Sequence, residues 1–437
     1  MYNAHGGLRQ DPGGAPEWPA EAGNDGLGGQ EVRVLLSTYG SRGDVEPMVA
    51  LAVALRDLGA EAQVCAPPEE EFTELLARVG MTLVPAGPSA RELMRQVQVE
   101  GQPSDFPRLA AEMLAAQFEA VTAAAEGSDA IVASGITPAA AAARSVADQL
   151  GIRYEYATYC PVWLRSPHHR PLGLPGWPIP PEETDNTVLW DLQAEGLNTV
   201  FGPPIKNHQA SIGLPPVDDV GDHVFTDRPW LAADPTLGPW VQPADLDVVQ
   251  TGAWILPDER PLPADVEAFL DDGTPPVYVG FGSIPMRAAE DVARDVIEAV
   301  RAEGRRVLVS GGWAELSLID QGDDCLAVGE VNHQALFGRT AAVVHHGGAG
   351  TTTTAARAGA PQVVVPQIGD QPYWAGRVAE LGIGAAHDGP TLTFESLSAA
   401  LQTALTPETA ERAAAVAGTI RSDGAAVAAK LLIDGSR

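Results

Sequence analysis

The stretch VVHHGGAGTTTT, Val343–Thr354, joins an apolar run to a glycine cluster and then to four threonines. The run AAVV at residues 341–344, which leads into it, has the small and β-branched composition of a buried parallel strand, and TTTTAARAG at residues 351–359 is typical of a helix that ends at glycine. Doubly wound α/β sheets place glycine-rich turns of this kind between a strand and the next helix. The stretch therefore predicts a sheet of that class.

The same plan recurs towards both ends of the chain. VRVLLSTYG, Val32–Gly40, reads as a strand, SRGDVEP as a turn and MVALAVALRDLG as a helix. The alternation restarts at Pro276 with PVYVGFGSIP, again a strand that runs into a glycine turn. Two doubly wound Rossmann-like α/β domains that face each other across a cleft fit this pattern. Ligands of such sheets bind at the carboxyl ends of the strands, so the glycine turns should face the cleft.

Changes in composition divide the chain into four segments. Residues 1–30 are dominated by glycine, proline and acidic residues without an apolar period, and we expect a disordered extension there. We assign residues 31–230 to the first domain, 231–275 to an interdomain linker and 276–437 to the second domain. The last helix is expected to pack back on the first domain.

Composition limits the partners of this 437-residue protein. Its formal net charge of −31 argues against binding to nucleic acid or to anionic membrane surfaces, because both repel an acidic protein. No apolar run approaches the roughly 18 residues of a membrane helix, so we expect no stable membrane insertion. Cys65, Cys160 and Cys325 are odd in number and far apart, which favours reduced thiols in a cytoplasmic protein.

The glycine cluster after Val344 is open to several interpretations. A helix N-terminus with glycines attracts phosphate, because its N–H groups are unpaired and a ligand can approach closely. The G-x-G-x-x-G pattern fails at Thr353, and the P-loop pattern fails for want of lysine. His345 and His346 are adjacent and should point to opposite faces of a strand, which disfavours a shared metal. A diphosphate cradle and a plain strand-to-helix turn both remain open.

Five further residues follow strands, and each has a functional and a structural interpretation. Asp44 is either a cleft carboxylate that accepts a proton or a helix cap. Ser283 either donates to a phosphate or caps its turn. Asp370 and Gln371 either bind sugar hydroxyls or belong to an ordinary loop, and Trp313 either stacks on a planar base or lies in the core.

Together these motifs resemble the nucleotide-sugar-dependent glycosyltransferases of the two-Rossmann-domain GT-B class. The resemblance is greatest to the actinobacterial enzymes that glycosylate vancomycin-type glycopeptide aglycones. It extends from about Val32 to the C-terminus and is densest over GEVNHQALFGR, VVHHGGAGTTTTAARAGAPQ, DQPYWAGRVAELGIGAAHDGPTLTFESLSAAL and AVAGTIRSDGAAVAA. It implies an inverting hexosyltransferase of antibiotic biosynthesis, which moves a hexose or deoxyhexose from a nucleotide-sugar to an aglycone hydroxyl.

The resemblance also implies roles for single residues and domains. The first domain would bind the acceptor, the second would bind the donor, and Asp44 would be the general base. Contacts to the donor diphosphate would come from Ser283, His346, Gly347, Gly348, Gly350 and Thr351. The nucleobase would meet Val331 and Trp313, and the donor sugar would meet Asp370 and Gln371. The acceptor would meet aromatic residues of the first domain, with Trp163 and Tyr159 as the candidates.

Two departures from the plant members of this class bear on the donor. Glu330 stands where those enzymes have a base-stacking Trp, and Thr354 stands where they have a Glu that contacts the ribose hydroxyls. The loss of a ribose contact favours a dTDP-sugar, and UDP-glucose remains open. We read the Asp-x-Asp pair Asp245 and Asp247 as a solvated loop and expect no metal cofactor.

The expected partners are therefore a nucleotide-sugar and a hydrophobic or aromatic aglycone, and the protein is expected to be a monomer. Alternatives of other kinds stay open. They are O- or C-glycosylation of an aromatic polyketide, a nucleotide-sugar epimerase of the same fold, and a catalytically silent helper of another transferase.

Overall fold

The computed structural model describes most of the chain outside its N-terminal segment. The described residues are 32–100, 105–174, 177–282, 289–311 and 322–435. Predictions made for residues 1–30, Ser283 and Trp313 lie outside these ranges.

The first sheet is parallel throughout and has the strand order β3-β2-β1-β4-β5-β6-β7. Its strands are β1 Arg33–Tyr39, β2 Glu61–Ala66, β3 Leu83–Pro85, β4 Ala130–Gly135, β5 Arg153–Thr158, β6 Trp230–Leu231 and β7 Val249–Gln250. The apolar runs of β1 and β4 are buried because helices cover both faces of the sheet. Strand order reverses between β1 and β4, and such a switch point is where ligands bind.

The helices of this domain cover the sheet as expected for a doubly wound fold. They are α1 Arg42–Asp57, α2 Glu70–Arg78, α3 Ala90–Glu100, α4 Phe106–Ala124, α5 Thr137–Leu150, α6 Asn186–Val200, α7 Gly202–Ser211 and α8 Val220–Phe225. A 3₁₀ turn, Pro161–Trp163, follows β5. Alanine-rich α5 is buried along most of its length, since small side chains let it lie close to its neighbours.

The second sheet is also parallel, with the order β10-β9-β8-β11-β12-β13. Its strands are β8 Val277–Gly280, β9 Val307–Ser310, β10 Cys325–Val328, β11 Ala342–His345, β12 Gln362–Val364 and β13 Gly384–Ala386. Its helices are α9 Ala264–Asp271, α10 Ala289–Ala302, α11 His333–Leu336, α12 Ala349–Arg357, α13 Gln371–Glu380, α14 Phe394–Ala404 and α15 Pro407–Ala417. Its switch point lies between β8 and β11, where His345 pairs with Gly280.

The predicted linker, residues 231–275, is wrong at both ends. Strands β6 and β7 belong to the first sheet, where Trp230 pairs with both β5 and β7. Helix α9 packs with the core of the second domain through Val266 and Leu270. The true connection is therefore residues 251–263. Two-residue strands among prolines are too short to show the alternation by which a strand is recognised.

The last helix, α16 (Gly424–Gly435), lies against α1 of the first domain. Its buried residues Ala428, Ala429 and Leu432 join the core cluster that contains Val45 and Met48 of α1. The chain therefore crosses back from the second domain, and its last described helix packs on the first.

Candidate active site

Asp44 lies at the carboxyl end of β1, in the first turn of α1. Ser41 is the N-cap of the helix, and its N–H donates to Asp44 Oδ2 at 2.8 Å. The hydroxyl of Tyr159, just after β5, donates to the carbonyl oxygen of Asp44 at 3.2 Å. Both bonds fix the backbone and the carboxylate of Asp44 at the switch point of the first sheet. The sequence SRGD contains the S-x-x-D pattern of a capping box. The helix cap is therefore Ser41, and Asp44 is the third helical residue, whose side chain bonds back to the N–H of Ser41.

The environment of Asp44 makes its carboxylate a stronger base than an exposed aspartate. Burial raises its pKa to about 6, and the negative charge of Asp370 adds to this rise, whereas the hydrogen bonds from Ser41 oppose it. Since Asp370 belongs to the second domain, residues of both domains influence the protonation of Asp44. A carboxylate with this pKa is still ionised near pH 7 and can accept a proton from a bound hydroxyl.

The imidazole of His346 lies between two glycines at the switch point of the second sheet. A Cβ at Gly348 would come within 2.6 Å of His346 Nε2, and one at Gly282 within 2.7 Å of Cε1. Burial lowers the pKa of His346 to about 4, so the ring is neutral at pH 7. Its buried Nδ1 has no hydrogen-bond partner among the described residues. A neutral ring flanked by glycines fits a group that donates one N–H to a ligand.

His345 points the other way and holds the turn together. Its Nε2–H donates to Gln362 Oε1 at 2.9 Å, and its Nδ1 accepts the N–H of Gly347 at 3.1 Å. Gly347 has φ +92°, and a Cβ there would approach Val364 to 2.7 Å, so glycine is required. The N–H of Gly347 is therefore committed to His345. Gly347 therefore shapes the turn by its conformation, and its N–H is not available to a ligand.

Helix α12 begins directly after these glycines. Its N-cap is Gly348, which has no side chain to cap the helix, so no described side chain caps the N–H groups of the first turn. The hydroxyls of Thr352 and Thr353 turn back to the carbonyls of Gly348 and Ala349, at 2.9 and 2.8 Å. Free N–H groups and the positive end of a helix dipole at Gly350 and Thr351 are the features that attract an anion.

The side chains of Asp370 and Gln371 are oriented by their own element. Trp374 Nε1–H donates to Asp370 Oδ2 at 2.9 Å, one helical turn later. Gln371 Oε1 accepts the N–H groups of Gln367 and Ile368, at 2.7 and 3.1 Å. The side-chain carbonyl of Gln371 is thus used within its own loop, which leaves the amide NH₂ group as the part of this side chain that can bind a ligand. Asp370 presents a carboxylate that is fixed on one side.

Val331 lies in the loop between β10 and α11, where its side chain is buried. The neighbouring Asn332 is a residue that the sequence analysis missed. Its Oδ1 caps α11 through Ala335 N–H at 3.1 Å, and its Nδ2 donates to the carbonyls of Asp258 and Arg260, both at 2.8 Å. Asn332 therefore links the interdomain connection by hydrogen bonds to the loop that contains Val331. Its capping position after a strand was the available signal.

The candidate acceptor residues differ in exposure. Trp163 is 39% exposed in the turn after β5, at the carboxyl edge of the sheet. Tyr159 is half-buried, and its hydroxyl also lies 3.0 Å from Ser134 Oγ. The hydroxyl of Tyr159 thus holds the backbone of Asp44 in place through its hydrogen bond to the carbonyl oxygen. The buried side chains of Tyr156 and Trp190 pack within the first domain.

The described residues also limit other kinds of site. They contain no group of three or more His, Cys, Asp or Glu side chains able to hold a metal ion. Asp247 is exposed beside Arg228, and Asp245 lies 3.9 Å from Arg165. Within the same ranges, none of the helices has the length and apolarity needed to cross a lipid bilayer.

Comparison with known proteins identifies similar chains. Residues 34–167 match the model of the glycosyltransferase family 28 N-terminal domain, and residues 316–429 match the erythromycin biosynthesis protein CIII-like C-terminal domain. Glycosyltransferase GtfE of Amycolatopsis orientalis is 59% identical over 401 residues, which cover 92% of this chain and 97% of that protein. The vancomycin aglycone glucosyltransferase of the same organism is 57% identical over 403 residues, with the same coverage.

Solved structures give the same fold. The crystal structure of the kitacinnamycin glycotransferase superposes with a TM-score of 0.68 at 21% sequence identity. The alignment covers 93% of this chain and 100% of that one. The two parallel-sheet domains therefore form a GT-B fold, as the sequence predicted.

Proposed function

The chain belongs to the vancomycin-type glycopeptide glycosyltransferases, and we propose that it transfers a hexose or deoxyhexose from a dTDP-sugar to a hydroxyl of a glycopeptide aglycone with inversion. The observation that carries the proposal is that Asp44, at the end of β1, and Asp370, at the start of α13, lie near enough for the charge of Asp370 to raise the pKa of Asp44. A base on the first domain then faces a sugar-binding carboxylate on the second.

The proposed reaction is a single displacement at the anomeric carbon. Asp44 accepts the proton of the acceptor hydroxyl while that oxygen forms a bond to the anomeric carbon. The bond from this carbon to the diphosphate oxygen breaks on the opposite face, and the electron pair leaves with the nucleotide. The N–H groups of α12 and the neutral ring of His346 stabilise the charge that grows on the diphosphate. Inversion follows from attack opposite to the leaving group.

The choice of dTDP over UDP rests on Thr354. This residue is half-buried in α12 and has no carboxylate to hold a second ribose hydroxyl. A deoxyribose nucleotide lacks that second hydroxyl, so the absence of a carboxylate at position 354 removes no contact from it. Titration with dTDP and with UDP tests the choice, since we expect dTDP to bind more tightly. Equal affinity for the two nucleotides would remove Thr354 as the reason.

The acceptor proposal rests on similarity to the vancomycin aglycone glucosyltransferase together with the exposed ring of Trp163. The experiment is a matrix of aglycones and donors, read by mass spectrometry. Vancomycin aglycone and an aromatic polyketide are each mixed with dTDP-glucose and UDP-glucose. We expect a mass gain of one hexose on the glycopeptide and nucleotide release only when it is present. Exclusive modification of the polyketide would replace the acceptor, and nucleotide release without any acceptor would contradict transfer.

We also propose that the reaction needs no divalent metal, because α12 and His346 supply the charge stabilisation that a metal provides elsewhere. Turnover should be unchanged within about twofold by excess EDTA, and loss of turnover restored by Mg²⁺ would refute this.

We further propose a monomer that works in the cytoplasm. Light scattering at micromolar concentration tests the monomer, and fractionation of producing cells tests the location.

A further inference from the structure

Glu330, in the loop after β10, accepts hydrogen bonds from three guanidinium groups. Its Oε1 lies 3.0 Å from Arg42, 2.8 Å from Arg78 and 3.1 Å from Arg260. The Oε2 atom also accepts from Arg78 Nη2 at 3.3 Å, so Arg78 binds the carboxylate through two nitrogens. Both carboxylate oxygens are therefore occupied by arginine.

The four residues come from different parts of the fold. Arg42 is the first residue of α1 and Arg78 is the last residue of α2, both in the first domain. Glu330 belongs to the second domain. Arg260 lies in the connection, whose backbone is held by Asn332. The cluster therefore joins both domains and the connection between them at one carboxylate.

Charge balance shows which pairs depend on Glu330. Arg42 also binds Glu46 at 2.7 Å, and Arg260 also binds Asp258 at 2.6 Å, each within its own segment. Arg78 makes its ion pair with Glu330. Partial burial alone would raise the pKa of Glu330, but Arg78 and Arg42 lower it to about 2, so it stays ionised over the working pH range. Glu330 thus attracts both Arg42 and Arg78 of the first domain to the second domain, and Arg78 depends on it more because Arg42 also has Glu46.

We propose that Glu330 is a positioning residue that sets how the domains align during transfer. Arg42 precedes Asp44 by two residues on α1, and Glu330 directly precedes Val331. An ion pair between these points fixes the base relative to the donor loop. The side chains are about a third exposed, so the attraction is modest and sensitive to salt.

The first test replaces the carboxylate and keeps its shape. Glu330→Gln should lower kcat/KM for glycosyl transfer by about fivefold at low salt, mostly through kcat, because one such pair in a network is worth a factor of this size. The affinity for free dTDP should stay within about twofold. The matched control is Glu267→Gln, which removes the ion pair with Arg339 inside the second domain at similar exposure. The control should leave kcat/KM unchanged.

The second test separates alignment from simple loss of stability. Raising NaCl to about 1 M should bring the wild type down to the rate of Glu330→Gln, which should itself change little. Arg78→Gln alone should resemble Glu330→Gln, and the double variant Arg78→Gln with Glu330→Gln should lose no more activity than either single variant, because both changes remove the same ion pair. Equal salt dependence in wild type and Glu330→Gln, or additive losses in the double variant, would overturn the proposal.

A third measurement does not depend on the role of Asp44, on which the alignment argument rests. Small-angle scattering at low salt should give Glu330→Gln a larger radius of gyration than the wild type, and the difference should vanish at high salt. Asp44→Asn should scatter like the wild type. A normal radius in Glu330→Gln contradicts the positioning role, whereas an active Asp44→Asn with a normal radius contradicts only the proposed base.

Discussion

The carboxylate of Asp44 accepts its hydrogen bonds from Ser41 through Oδ2, and its pKa lies near 6 because burial and Asp370 both disfavour the charge. The ionised form is the base, so kcat/KM should rise with pH through about 6 and level off above about 7. Measurement of kcat/KM from pH 5 to 8 at constant ionic strength checks this. A profile that is flat across that range contradicts the assignment.

The proposed diphosphate site depends on the free space that Gly348 leaves beside the imidazole ring of His346. Gly348→Ala keeps an allowed backbone but drives a methyl group into His346, so the dissociation constant for dTDP should rise about tenfold or more. The matched control is Gly376→Ala, on an exposed helical position with open space around it. The control should bind dTDP like the wild type. Normal binding by Gly348→Ala would mean that the ring of His346 does not contact the diphosphate.

At the scale of the element, two adjacent histidines at the end of β11 have different roles. His345 stabilises the fold, and His346 is the proposed contact to the diphosphate. His345 is fully buried with two hydrogen bonds, so His345→Ala should cost about 2–4 kcal/mol of unfolding free energy. His346→Ala should change stability less and weaken dTDP binding more. Urea unfolding and calorimetric titration of both variants test the assignment. The opposite ranking on either measurement would exchange the roles of the two histidines.

The elements of this fold were largely predictable from the chain, whereas the contacts between them were not. Apolar runs closed by glycine predicted strands such as β1 and β11, because burial on both faces leaves a continuous apolar signal. Strands β6 and β7 carried no such signal. Opposite faces for His345 and His346 followed from strand geometry. Arg78 and Glu330 are 252 positions apart, and no local pattern links residues at that separation.

The candidate site divides in the same way. The glycines, His346, Asp44 and Asp370 were named because each follows a strand of a doubly wound sheet. Their protonation was not readable, since the pKa of Asp44 depends on burial and on a charge in the other domain. The support that Tyr159 gives to Asp44 also required the fold, because the same residue reads equally well as an acceptor contact.

At the scale of the whole molecule, the last described helix returns from the second domain and packs on the first. Leu432 of α16 is fully buried against the first domain, so Leu432→Ala should cost about 2–5 kcal/mol of unfolding free energy. The control is Lys430→Ala on the exposed face of the same helix. Urea unfolding should give a lower midpoint for the first variant and an unchanged midpoint for the second. Equal midpoints would show that α16 does not stabilise the first domain.

Both sheets direct their switch points at the cleft, and the proposed reaction needs a base from one and a phosphate site from the other. The central claim is that Asp44 removes the acceptor proton. Asp44→Asn keeps an oxygen for the bond from Ser41, so the fold and dTDP affinity should be retained. Steady-state transfer to vancomycin aglycone, measured beside dTDP binding, should show turnover reduced at least about 100-fold with affinity within about twofold. Wild-type turnover in that variant would contradict the account.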